Sequence, residues 1–136
     1  MAKGNTTITQ ILQKLYQATE LPWDANTDLY LALHTADPGA AGNQTTNEAT
    51  YTSYARIAVA RDATGWDVVG QAASNDDLLQ FPQCTGGTNT ITHVSVGTAS
   101  SGAGQIIASG ALNASLAVAN LIQPQFAANA LTHTET

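Results

Sequence analysis

The sequence predicts an all-β protein: an antiparallel β-sandwich, jelly-roll in type, of about eight short strands with one short N-terminal helix. Three observations predict it. Apolar residues alternate with a period of two in short runs separated by turn residues, the pattern of half-buried strands. No helix-length periodic segment separates those runs after residue 28, which argues against βαβ units and a parallel sheet. The 136 residues are most simply one domain, long enough for two sheets to bury each other's inner faces. An immunoglobulin-like topology gives a similar pattern, so periodicity leaves the strand order open.

Residues 1–27 read as an N-terminal arm and helix, and residues 28–136 as the sandwich domain. Ile8, Ile11, Leu12, Leu15 and Tyr16 fall at i, i+3, i+4, i+7 and i+8, one face of an amphipathic helix that Asn5 or Thr6 is placed to cap. Gly4 permits a mobile leader before it. Leu21-Pro22-Trp23 is expected to end it, because the residue before a proline is pushed towards extended geometry. Such a helix either packs on its own domain or docks on a neighbouring subunit.

The strands follow in order. Leu29, Leu31 and Leu33 point inward in the first, and Asp37-Pro38-Gly39 then marks a turn. From there to Ser53 runs a Gly-, Asn- and Thr-rich segment without apolar period, long enough to expect a task for it. The run from Tyr54 to Arg61 turns Ala55, Ile57 and Val59 inward. Gly65 to Gly70 is a short strand, Ala72 to Asp77 a polar turn, and Leu78 to Phe81 a strand stopped by Pro82. Thr90 to Thr98 and Gln105 to Leu112, joined by small residues and two glycines, form a central hairpin with Val94, Val96 and Ile106 in the core. Leu116 to Ala119 is a brief apolar run, and Gln125 to His133 a last alternating segment.

Only 10% of the chain is charged, against roughly 25% in typical soluble domains. Its net charge is −6, and Lys3, Lys14, Arg56 and Arg61 are its four basic residues. Four scattered cations build no basic stripe, so neither nucleic acid nor an anionic membrane surface is an expected partner. Cys84 stands alone, which excludes an internal disulfide and any cysteine-based metal cluster. No segment approaches the ~18 apolar residues of a membrane span, and no apolar h-region follows Met1, so synthesis in a cytoplasm is expected.

An active site would have to come from three histidines, one thiol and ten acids. His34, His93 and His133 fall on different predicted strands with no metal-ligand spacing, and are expected as half-exposed strand residues. Cys84 has no neighbouring base. Asp76-Asp77 lacks the further oxygen ligands of a calcium loop, and neither Gly86-Gly87 nor Gly102-Ala103-Gly104 has the lysine and helix of a phosphate loop. The expectation is therefore a protein that is not an enzyme, with no catalytic, cofactor-binding or metal residues. Trp23, Trp66 and Tyr51 are the side chains from which a carbohydrate-binding platform would be built.

Leu29 to Gly39, Tyr54-Ala55-Arg56, Leu79-Gln80-Phe81-Pro82, Thr90 to Thr98 and the strand from Gly104 to Leu112 together resemble a family of small tailed-bacteriophage virion proteins. Its members are labelled capsid cement (decoration) proteins or tail-fibre proteins. The resemblance covers residues 28 to 112 and contains no catalytic motif. It implies a structural protein of the virion, made in the host bacterial cytoplasm and placed on the capsid exterior. There it would bind over joints between major capsid protein subunits and associate with itself as a dimer or trimer. A tail or tail-fibre component is the alternative, and a soluble carbohydrate-binding sandwich a third.

Overall fold

The computed structural model describes residues 1–136. Ten strands and one helix follow along the chain: β1 (Ala2–Lys3), α1 (Asn5–Gln17), β2 (Asp28–His34), β3 (Ile57–Ala60), β4 (Trp66–Val69), β5 (Ala72–Asn75), β6 (Leu79–Gln80), β7 (Asn89–Gly97), β8 (Ile106–Val118), β9 (Gln125–Phe126) and β10 (Thr132–Thr134). Every pairing is antiparallel. The main sheet has the order β1-β8-β7-β2-β3, and the opposing layer is made of a three-stranded sheet, β10-β5-β4, and the pair β6-β9. The fold is thus an all-β antiparallel sandwich, with strands divided five, three and two rather than in the two fours of a jelly roll.

The period of two in β2 and β7 decides where the core lies. Leu31 opposes Val96 and Leu33 opposes Val94, and all four are buried. Val59, Ile91 and Val118 join them from the same sheet, while Leu79, Phe81 and Leu131 close over them from the other layer. Leu29 and Ile57 pack at the margin of this cluster. Ile106 is buried where the helix docks, its carbonyl accepting from Thr7 Oγ1 at 3.1 Å.

The central hairpin forms as the pairing of β7 with β8, but β8 runs on to Val118 and takes in the separate run expected at Leu116. Ile91 pairs with Leu116 and His93 with Ala111, so the four residues from Leu112 to Ser115 oppose the single Thr92. The polar break in the sequence is a bulge inside one strand, which bends the ladder without ending it.

Five other local expectations are corrected. The leader is tied down, because Ala2 and Lys3 pair with Ser109 and Ala108 of β8. Helix α1 starts from Gly4 with no side-chain cap. Instead Ala40 O accepts the Asn5 N–H at 2.8 Å, and a Cβ at Gly4 would meet Ile106 O at 2.6 Å, so only glycine permits this close approach. The helix stops at Ala18 in the left-handed region (φ 54°), well before Pro22. Finally, Ala72–Asn75 is a strand where a polar turn was expected, and the segment from Gln125 breaks into β9 and β10. Asn75 explains both: its buried amide donates to Asp77 O and Ala127 O, and its Oδ1 accepts from Leu131 N, at 2.7–2.9 Å.

Val94→Asp places a carboxylate with no partner in the centre of this cluster. Loss of the valine together with an unpaired buried charge costs on the order of 4 kcal/mol or more, a large part of a domain's stability. Thermal denaturation is expected to show no cooperative transition near the wild-type midpoint. A wild-type transition would mean that this face is not the interior.

Candidate functional site

The outer face of the β2–β7 pair carries Ala32, His34, Ser95 and Gly97, all buried beneath the long segment from Thr35 to Ser53. Two side chains fasten that segment. Gln44, fully buried, donates from Nε2 to Tyr30 O at 3.2 Å and accepts from Ala99 N at 3.0 Å. It fits only because Gly97 and Gly104 leave room, since a Cβ on either would overlap its side chain. His34 lies within 2.8 Å of Thr46 O through Nδ1 and of Ser95 Oγ through Nε2. A carbonyl only accepts, so Nδ1 carries the proton and Nε2 accepts from the Ser95 hydroxyl. His34 is therefore not the half-exposed strand residue expected from sequence. Beside it, Glu48 and Arg56 form a two-bonded ion pair at 2.7 and 2.9 Å, and Arg56 also donates to Ala99 O and Gly102 O. Tyr54 donates to Glu48 Oε1 at 2.9 Å, and its burial raises the pKa of its hydroxyl.

The remaining candidates are dispersed. His93 is the cross-strand partner of His34, half-buried and turned to Thr92 Oγ1, whereas His133 lies near Glu135 at the far end of β10. No three side chains of His, Cys, Asp or Glu converge. Cys84 is buried and donates to Gly86 O at 3.1 Å. Tyr51 is buried in the core, where burial pushes its hydroxyl up to about 12, and it packs edge-on against Tyr54 rather than against either tryptophan. Trp23 donates to Gln10 Oε1 and lies under the Arg61 guanidinium, 4.9 Å from its ring centre. Tyr51 is thus no part of a surface platform. A cleft of about 570 Å³ opens at the β8 bulge and another of about 540 Å³ beside Trp66. At the rim of the second, Arg61 is engaged by Asp24 and Asp62 by Thr64.

The unusual surface is α1. Thr7 and Gln10, at i and i+3, hold the helix to the body: Thr7 bonds Ile106 O and accepts from Gln105 Nε2, and Gln10 exchanges hydrogen bonds with Gln105. The polar edge therefore faces inward. The apolar stripe faces out, and its exposure rises along the helix, from 41% at Ile8 and 51% at Leu12 to 70% at Leu15 and 82% at Tyr16. The stripe was legible in the sequence. Its orientation was not, because nothing in the spacing says that Gln105 will take the polar edge. Further exposed apolar residues lie in pairs, Val68 and Val69 of β4 and Leu121 and Ile122 before β9.

The family model described as Podophage GP4 fiber I protein gp80 matches residues 3–134. The chain belongs to that family and is a phage virion structural protein. The match takes in α1 and the C-terminal strands, beyond the stretch from 28 to 112 that carried the resemblance. No curated protein matches the chain. No helix is long and apolar enough to cross a membrane.

The buried His34 has a measurable consequence. Burial lowers its pKa below the ordinary 6.5, opposed by the Thr46 carbonyl and Glu48 and assisted by Arg56 and His93. The unfolded chain then binds a proton that the folded one resists, so this contribution is complete above pH 6.5 and is lost as pH falls below it. One such group contributes a slope of at most ~1.4 kcal/mol per pH unit. Between pH 7 and 5 the melting temperature is expected to fall, and His34→Gln to flatten that fall. His133, whose pKa burial also lowers, acts in the same direction, so His133→Gln serves as the comparison and should keep the larger part of the slope. Equal slopes in wild type and His34→Gln would contradict the assignment.

Proposed function

We propose that this chain is a fibre-type building block of a podophage particle that works by protein–protein contact alone. The observation that carries the reading is the outward apolar stripe of α1 on a body whose polar edge already holds the helix in place. A monomer gains nothing from that exposure. Covering it recovers roughly 25 cal/mol per Å² of apolar surface, less the cost of association. The family description supports a fibre placement. In this reading the partners are other virion proteins and further copies of the chain, with no nucleic acid, membrane or cofactor. The same reading gives the chain no catalytic task and leaves Cys84 and His34 to hydrogen bonds that support the fold.

Attachment over joints between major capsid protein subunits on the capsid exterior is the second reading. One observation favours it: the body is a closed sandwich without a heptad run or strand repeat that would build a shaft. A cement protein needs this kind of compact, charge-poor body, repeated across the shell.

Quantitative mass spectrometry of purified particles separates the two. A handful of copies per particle is expected for the fibre component, and hundreds would replace it with the cement reading. Absence of the chain from intact particles would overturn both.

A further inference from the structure

We propose that the apolar stripe of α1 is a self-association seam, covered in the assembled protein by the α1 of a second copy. The inference rests on the structural reading above and names the partner of that surface. Ile8, Leu12 and Leu15 are exposed and spaced four and three apart, the repeat that lets two helices interlock side by side, with Tyr16 flanking them and Ile11 half-buried beside them. A stripe of this kind is complementary to itself, which is what a twofold contact requires.

Charge permits a second copy on this face, and the number of exposed apolar side chains on one element, Ile8, Leu12, Leu15 and Tyr16, singles it out. The chain carries −6, with every Asp, Glu, Lys and Arg outside residues 78–134, so only its acidic faces repel one another. Helix α1 has one charged residue, Lys14, and Glu20 of the same chain neutralises it at 2.6 Å. Two copies therefore meet here without like-charge repulsion. A lipid surface is a poorer occupant, because an interfacial helix needs several Lys or Arg on its polar face and this one turns Thr7 and Gln10 to the protein body.

Size sets the expected strength. A 13-residue helix is about 20 Å long and covers a few hundred Å² per copy, short of the ~800 Å² per partner of a standard stable interface. Free in solution the association is weak. It becomes effective where copies are held side by side on a common support, because the second contact is then made at high local concentration.

Sedimentation velocity from ten to several hundred micromolar tests it. Wild type is expected to shift towards dimer or higher species over this range, and Leu12→Gln/Leu15→Gln to stay monomeric with unchanged circular dichroism and melting temperature. Both positions are exposed and both substitutions neutral, so neither misfolding nor added charge would explain the loss. In oxidative cross-linking, Leu15→Cys should form disulfide-linked dimers at least tenfold faster than Val68→Cys, whose 70% exposure matches that of Leu15 but which lies on β4. A wild type that stays monomeric throughout, self-association that survives the double substitution, or equal cross-linking rates would each overturn the seam. So would monomeric wild type that binds phosphatidylglycerol–phosphatidylethanolamine vesicles through the same two leucines. Particle content separates the two readings. A chain that self-associates but is absent from particles sinks the virion role alone, and a particle-borne chain that meets any of the overturning outcomes sinks the seam alone.

Discussion

Everything in this molecule hangs on the pairing of β2 with β7, because that pair is buried on both faces. On one, Leu31, Leu33, Val94 and Val96 make the apolar contact between the layers. On the other, Ala32, His34, Ser95 and Gly97 are too small or too polar to form a second apolar core, yet they too are shut off from water. Buried polar groups have to be hydrogen-bonded, and here a loop does it. Gln44 and His34 let the segment after β2 lie flat on the sheet, and the Glu48–Arg56 pair then pins the Ala99–Gly102 turn of the central hairpin to the same segment. What reads as a shapeless excursion in the sequence is a covering layer.

The scarcity of charge takes on meaning in that setting. Apart from the Glu48–Arg56 pair, whose two charges neutralise each other, interior polar positions are filled by amides, hydroxyls and a neutral imidazole, which cost far less to bury than ions. Neutral side chains also dominate outside. A surface of threonine, alanine and asparagine with a few apolar stripes does little to keep copies apart, and in a virion protein close approach is the requirement rather than the hazard.

How far the sequence disclosed this follows from the nature of each signal. Alternation is local, so β2, β7 and the inward set from Leu31 to Val96 could be read directly. Asn75 and Gln44 could not: an amide looks the same in the sequence whether it faces water or closes a ladder, and its partners lie many residues away. His34 misled for the same reason, since its burial depends on Thr46 and Ser95 arriving from different segments. The bulge at Leu112 to Ser115 disguised one strand as two, because a bulge and a turn are written with the same small polar residues. For α1 the apolar stripe was plain. Only the structure says which edge faces the body, and that edge decides whether the stripe is core or surface.

As an assembly contact, this stripe is covered in the particle. An electron cryo-microscopy reconstruction of the particle, resolved well enough to place the chain, tests it most directly. Leu12, Leu15 and Tyr16 are expected to lie against another protein chain. The same side chains open to solvent in every copy would contradict it.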